Sequence, residues 1–108
     1  MRSTEDFLRQ AKKCLERGDW LLVERNKNIQ ALIAHDLSIA DVKAAIRQLA
    51  GTNYFKGPKK DFNKKEKGAI YEFKIVIGGK RFYLKLKLQK INQKTVLKCL
   101  SFHKDDYA

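Results

Sequence analysis

Hydrophobic residues in the first fifty positions recur every three or four residues, which is the spacing of helices that pack on a core by one face. The first such stripe comprises Phe7, Ala11, Cys14 and Leu15. The next two comprise Ile29, Leu32, Ile33 and Leu37, and then Ile39, Val42, Ala45, Ile46 and Leu49. We therefore predict three helices. Gly18 ends the first and Ser38 with Asp41 begins the third, and a short buried strand at residues 20–24 follows the first.

From residue 70 onward the pattern changes to strict alternation, which is typical of strands that bury one face. The pair Gly78-Gly79 favours a two-residue hairpin turn, because such turns need positive φ at their centre. With that turn, Ile77 lies opposite Lys80 and Glu72 opposite Lys85. The face turned toward the helices carries Tyr71, Phe73, Ile75, Ile77, Phe82, Leu84, Leu86 and Leu88. The opposite face, called the polar face below, carries Glu72, Lys74, Tyr83, Lys85 and Lys87.

A further strand is predicted at residues 95–103, antiparallel to the one before it, with Ser101 and His103 on the same side as Tyr83. Leu97 and Cys99 then continue the row of Ser101 and His103, and Lys98 points toward the helices. Because this alternation is imperfect, we expect an edge position, a bulge or a snorkelling stem there. Residues 52–68 show no periodicity and contain Pro58, two glycines and six lysines, which predicts a mobile basic loop. The expected fold is one α+β domain over residues 1–108, with N-terminal helices packed on a small antiparallel sheet.

The charge of the chain is strongly uneven. Residues 1–50 hold nine Lys and Arg against seven Asp and Glu, whereas residues 51–108 hold fifteen against five. Such a basic half indicates a polyanionic partner, nucleic acid first, although a solubilising surface gives the same composition. The sequence contains no apolar run approaching the roughly 20 residues of a membrane span and no secretory signal, so we expect a soluble, cytoplasmic protein without a membrane partner. Cys14 and Cys99 are expected to be buried free thiols.

The polar face carries groups that suit cleavage of RNA by its own 2′-hydroxyl, a reaction that needs a base, an acid and cations. The candidate catalytic residues are Lys56, Glu72, Tyr83 and His103. Glu72 is the candidate general base and His103 the candidate general acid, while Lys56 could hold the phosphate and Tyr83 could hydrogen-bond to a nucleobase or stack on it. The candidate RNA-binding residues are Lys59, Lys60, Lys74, Arg81, Lys85 and Lys87. No metal or other cofactor is expected. Each group also has a structural interpretation, such as a cross-strand ion pair for Glu72 and Lys85.

Four short motifs carry a resemblance to a known family: KNIQAL at 27–32, YFKGP at 54–58, FYLKLK at 82–87 and CLSFH at 99–103. In this order and spacing the chain resembles the MqsR family of type II toxins, which are RelE-superfamily mRNA interferases neutralised by a cognate antitoxin. The resemblance implies a RelE-like fold and active-site roles for Lys56, Tyr83 and the residue after Ser101-Phe102. That residue is His103 here and a lysine in the best-known branch. Glu72 falls where the family has an amide or an acid.

The resemblance implies an endoribonuclease that acts on single-stranded mRNA and is restrained by an antitoxin protein within a toxin–antitoxin hetero-oligomer. Two alternatives stay open from the residues themselves. A non-enzymatic RNA- or DNA-binding module would use the same basic face without forming a product, and its binding would fall steeply with salt. A structural interaction protein would have a partner that covers the hairpin.

Overall fold

A five-stranded sheet, covered on one face by three helices, forms the structure, a computed structural model that describes residues 4–60 and 68–105. The helices are α1 (Thr4–Arg17), α2 (Asn26–Ala34) and α3 (Ile39–Gln48). The strands are β1 (Trp20–Leu22), β2 (Tyr54–Lys60), β3 (Ala69–Ile77), β4 (Lys80–Ile91) and β5 (Lys94–Lys104). The predicted α+β class is confirmed, and α3 begins with the expected capping box between Ser38 and Asp41.

The strand order is β1-β5-β4-β3-β2. Neighbouring strands are antiparallel except β1, which runs parallel to β5 and pairs with it over Trp20–Leu22. The prediction of a purely antiparallel sheet is therefore wrong at this edge. Two helices and three strands separate β1 from β5 in the chain, so no short turn fixes their relative direction.

The β3–β4 hairpin has the predicted turn and register. Gly78 and Gly79 have φ of 58° and 78°, and the ladder pairs Ile77 with Lys80 and Lys74 with Tyr83. The inward face packs on α1 and α3, with the rings of Phe7 and Tyr71 stacked at a centroid distance of 4.1 Å. The polar face points away from this core.

Residues 54–60 form the edge strand β2, so the prediction of a loop over this stretch is wrong. Pairing with β3 is irregular: Tyr54 lies opposite Phe73 and Lys56 opposite Glu72, so Phe55 is an extra residue. A second shift separates Lys56 from Lys59. Glycine and proline indicated a loop, but an edge strand with bulges tolerates both. The part of the predicted loop at 61–67 lies outside the described residues.

Strand β5 contains the expected irregularity in the form of a bulge. Lys85 pairs with Ser101 and Leu86 with Cys99, so Leu100 is the extra residue. The bulge changes which side each residue faces: Cys99 lies in the core, whereas Ser101 and His103 share the face of Lys85 and Tyr83. Lys98 is consequently opposite Lys87 on the polar face, whereas Leu97 and Cys99 lie in the core, so the predicted sides of these three residues are wrong.

The buried side of α2 also differs from the predicted stripe. Ile29 and Ile33 are 42% and 70% exposed, whereas Asn28 and Ala31 are buried. The side chain of Asn28 hydrogen-bonds to the backbone of β5, and these bonds determine which side of α2 faces the sheet. Both cysteines are buried free thiols as predicted, and burial raises the pKa of Cys99 to about 12. None of the helices in the described part of the chain is long and apolar enough to cross a membrane.

Candidate active site

A cavity of about 530 Å³ opens on the polar face of the sheet. Its walls are formed by Lys27, Phe55, Lys56, Glu72, Lys74, Tyr83, His103 and Asp105. All four residues predicted to be catalytic are in this set, and they come from β2, β3, β4 and β5 in turn. Side chains that lie far apart in the sequence therefore converge on one concave site of the size that small ligands or single nucleotides occupy.

Glu72 is at the centre of this site and is only 5% exposed, although it lies on the polar face and not among the helices. The Tyr83 hydroxyl donates to its Oε1, and the Lys59 Nζ lies 2.6 Å from its Oε2. Burial raises the pKa of Glu72, but the Lys59 ammonium and the Tyr83 hydroxyl outweigh burial, so the pKa is lowered. Glu72 is thus an ionised carboxylate with a partner on each oxygen.

Tyr83 and His103 are directly opposite each other on β4 and β5, with ring centroids 5.1 Å apart. Burial, and then the bond to Glu72, raises the pKa of Tyr83 well above its usual range, so its phenol keeps its proton. The His103 Nδ1 lies 3.0 Å from the Lys104 carbonyl oxygen. A carbonyl can only accept, so Nδ1 carries a hydrogen and Nε2 is the nitrogen suited to exchange a proton with a ligand.

The β2 bulge explains how two consecutive residues reach the same cavity. In a regular strand Phe55 and Lys56 would point to opposite faces, but the extra residue directs both side chains to the polar face. The strand also approaches β3 closely at Gly57, where an added Cβ would stand 2.6 Å from the Ile70 carbonyl oxygen. Glycine at this position therefore lets β2 lie close enough for Lys56 and Lys59 to reach Glu72 and its surroundings.

Lys74 and Asp105 form the wall on the other side of Glu72. Lys74 Nζ lies 3.0 Å from Asp105 Oδ2, and the Asp105 side chain is 4% exposed. Arg81 reaches the same carboxylate more loosely, at 4.0 Å, and its side chain is half exposed. The backbone N–H of Asp105 also donates to the Arg81 carbonyl oxygen at 2.8 Å, which fixes the end of β5 against β4.

The other predicted RNA-binding residues have different outcomes. Lys85 is opposite Glu72 and half-buried, and its charge contributes to the lowered pKa of that carboxyl. Lys87 is on the polar face, but its side chain is completely buried beside Gly68, and its role in binding RNA stays a prediction. Lys59 is half exposed and pairs with Glu72. The side chain of Lys60 lies outside the described part.

Sequence reasoning missed three residues of the cavity wall: Lys27, Phe55 and Asp105. Lys27 and Phe55 lie within the KNIQAL and YFKGP motifs, so the motifs held a signal that was not assigned to these positions. The side that Phe55 faces could be predicted only if the bulge were known, because alternation alone does not reveal it. Asp105 follows the last predicted strand, and no pattern in the sequence indicates its contact with Lys74.

Asn28 is a buried residue that supports the site from behind. Its side-chain amide donates to the carbonyl oxygens of Val23 and Leu100 at 2.9 and 3.1 Å, and its Oδ1 accepts from the Phe102 N–H at 3.0 Å. These bonds bracket the β5 bulge, beyond the point where β1 pairs with this strand. Asn28 thereby holds the conformation that turns His103 toward Tyr83.

Among residues 4–60 and 68–105, no cluster of three or more His, Cys, Asp or Glu side chains could hold a metal ion. Comparison of the sequence with models of protein families gives no match, and a search of curated proteins finds none that is similar enough to match. The resemblance to the MqsR family therefore stays a prediction, carried by the four motifs and by the residues that they bring to the cavity.

Proposed function

We propose that the protein is an endoribonuclease that cleaves single-stranded mRNA without a metal ion, leaving a 2′,3′-cyclic phosphate and a 5′-hydroxyl. One observation supports this most directly: a carboxylate, a phenol, an imidazole and ammonium groups line a single cavity, with Tyr83 bonded to Glu72 and adjacent to His103. These are the group types that transesterification by a 2′-hydroxyl requires.

In the proposed reaction the RNA 2′-oxygen attacks the adjacent phosphorus while the bond from phosphorus to the 5′-oxygen breaks. Glu72 takes the proton of the 2′-hydroxyl, and His103 gives the proton on Nε2 to the leaving 5′-oxygen. Lys56 stabilises the charge that develops on the non-bridging oxygens, because it lines the same cavity. Proton exchange with water then restores both groups.

Displacement of Lys59 by RNA would make Glu72 a stronger base. In the free protein its ammonium lowers the pKa of the carboxyl, against the effect of burial. Lys59 is half exposed, so an incoming phosphate can draw its ammonium away from Glu72. Its departure frees Oε2 and removes one cause of the lowered pKa, so the carboxylate becomes better suited to accept a proton.

The biological role that we propose follows from the resemblance to MqsR toxins. The protein would act as the toxin of a type II toxin–antitoxin pair in the cytoplasm, where mRNA is available, and a cognate antitoxin would bind it in a hetero-oligomer. The buried free thiols of Cys14 and Cys99 suit a reducing compartment.

The proposed function is tested by incubating purified protein with single-stranded RNA in the presence of a chelator and identifying the product ends. We expect cleavage to fall by about 100-fold or more in His103→Ala and strongly in Lys56→Ala. Lys90→Ala is the matched control, because it removes an equal charge from an exposed position that does not line the cavity. RNA left intact by the wild type, or equal cleavage by all variants, would refute the proposal.

The same experiment separates the enzyme from a non-enzymatic nucleic-acid-binding module. A binding module would retain the RNA in a salt-dependent complex with no cleaved product. An interaction protein would show neither product nor salt-dependent retention. Growth arrest on expression that disappears in His103→Ala would add support for the toxin role.

A further inference from the structure

Phe55 is unusual among the phenylalanines that the structure describes. Phe7, Phe73, Phe82 and Phe102 are at most 4% exposed, whereas Phe55 is 41% exposed on the wall of the polar cavity. Its position depends on the β2 bulge, which turns it away from the face that packs on the helices. Burial in a core therefore does not account for an aromatic residue here, and a ligand is the natural partner for its ring.

Cationic groups surround the Phe55 ring. The Lys74 Nζ lies 3.9 Å from the ring centroid and the Lys56 Nζ lies 5.1 Å from it. Asp105 holds Lys74 at 3.0 Å, while the Lys56 side chain is exposed. An aromatic face next to cations is the arrangement by which proteins bind single-stranded nucleic acids, since a base stacks on the ring and its phosphates meet the cations.

The other two aromatic side chains of the cavity, Tyr83 and His103, already contact each other or Glu72. The Tyr83 hydroxyl is bonded to Glu72, and its ring lies beside that of His103. Phe55 has no group that can exchange a proton or donate a hydrogen bond, so it can contribute only apolar and π contacts. The cavity thus contains a chemical part at Glu72, Tyr83 and His103 and an aromatic part at Phe55.

We propose that Phe55 is the platform on which an unpaired nucleobase next to the scissile phosphate stacks, with Lys56 contacting the scissile phosphate and Lys74 a neighbouring one. This inference rests on the proposed function and names the subsite that would make the enzyme specific for single strands. A base within a duplex is already stacked on both sides and offers no free face to the ring. Stacking outweighs a cation–π contact at an exposed site, so an incoming base displaces an ammonium toward a phosphate.

The first test measures binding of a 2′-fluoro oligonucleotide, which lacks the attacking hydroxyl and cannot be cut by the proposed route. We expect Phe55→Leu to weaken binding by about 10-fold and Phe55→Trp to retain it, because only an aromatic ring stacks. Ile33→Ala is the control, since Ile33 is another exposed apolar residue but lies outside the cavity. With cleavable RNA, the Phe55→Leu effect should fall on KM and leave kcat nearly unchanged.

The second test places an abasic nucleotide at each position of the oligonucleotide in turn. One position should weaken wild-type binding by about 10-fold and weaken Phe55→Leu binding no further, because the two changes remove the same contact. Unchanged affinity in Phe55→Leu, or abasic losses that are equal in both proteins at every position, would overturn the inference.

The outcomes for the subsite and for the proposed function are distinguishable. If the wild type cuts no RNA but the abasic scan and Phe55→Leu show the expected coupling, the ribonuclease proposal fails and the stacking subsite stands. If RNA is cut equally well by wild type and Phe55→Leu, with equal affinity for the 2′-fluoro strand, the subsite fails and the ribonuclease proposal stands.

Discussion

The β3–β4 hairpin keeps an unbroken register over eight residue pairs, whereas β2 and β5 on either side of it pair through register shifts. The hairpin contributes Glu72 and Tyr83, which regular alternation brings to the polar face. The flanking strands contribute Lys56, Phe55 and His103, and each reaches the cavity because of a bulge. A regular centre thus supplies the carboxylate and the phenol, whereas irregular flanks supply the groups that we propose contact RNA.

The largest effect is expected at His103, the residue of the β5 flank with the clearest chemical role. His103→Gln should reduce RNA cleavage by about 100-fold or more, because an amide cannot donate a proton to the leaving oxygen. His103→Lys should retain part of the activity and keep it to higher pH, because lysine ammonium groups stay protonated further into the alkaline range than imidazolium. The measurement is a single-turnover rate profile against pH. Identical profiles for wild type and His103→Lys would exclude His103 as the acid.

Asn28→Ala tests whether the β5 bulge depends on the hydrogen bonds that the Asn28 side chain makes on both sides of it. Three backbone groups of Val23, Leu100 and Phe102 lose their partner, so the free energy of unfolding should fall by about 3 kcal/mol. Cleavage should fall as well, because His103 loses its fixed position. Asn26→Ala is the matched control, since Asn26 is exposed and lies two residues earlier in α2. Urea unfolding and the cleavage rate provide the readouts, and equal stability of the two variants would contradict this role.

A pair of glycine substitutions compares the β2 flank directly with the hairpin. Gly57→Ala should cost about 2 kcal/mol of stability, because φ is positive and the new Cβ meets the Ile70 backbone. Gly79→Ala should cost only about 1 kcal/mol, since φ is positive but nothing lies within 4 Å of the new Cβ. Gly57→Ala should also impair RNA cleavage by displacing Lys56, whereas Gly79→Ala should not. Equal losses in both variants would show that the close approach of β2 is unimportant.

The smallest effect is a dependence of stability on pH that arises in the hairpin. The pKa of Glu72 is lowered in the folded protein, so the folded state binds this proton less readily than the unfolded chain, whose glutamates titrate near about 4.3. Its stabilising contribution is therefore present above that value and is lost as pH falls through the lowered pKa. Glu72→Gln should be less stable than wild type at neutral pH, and this difference should shrink in acid. Urea unfolding between about pH 7 and about pH 3 checks this, and a constant difference would contradict it.

The parts of the fold that follow strict periodicity could be predicted from the sequence. The Gly78-Gly79 turn fixed the register of Glu72, Lys74 and Tyr83, because a two-residue turn leaves a single pairing that puts the apolar set inward. The bulge at Phe55 could not be predicted this way, because no break in alternation marks it. The broken alternation around Lys98 indicated an irregularity in β5, but it did not identify Leu100 as the extra residue. The edge strand β2 was missed for the related reason that its glycine and proline resemble loop residues.

The candidate site was predictable to a similar extent. Charge and alternation indicated a basic polar face, and the family resemblance indicated Lys56 and His103, which the structure brings together with Glu72 and Tyr83. Burial was not predictable, because it depends on what covers a strand. Lys87 and Glu72 alternate on the same face, yet Lys87 is fully buried and Glu72 is buried beneath Lys59 and Tyr83.

The proposed function depends on one step, in which this cavity positions an RNA 2′-hydroxyl for attack on the adjacent phosphate. The most direct measurement uses one RNA sequence in which a single nucleotide at a mapped cut site carries a 2′-deoxy sugar. We expect cleavage to disappear at that site alone, while other sites are still cut to cyclic phosphate and 5′-hydroxyl ends in the presence of a chelator. Unchanged cleavage at the deoxy site, or products with 5′-phosphate ends, would contradict it.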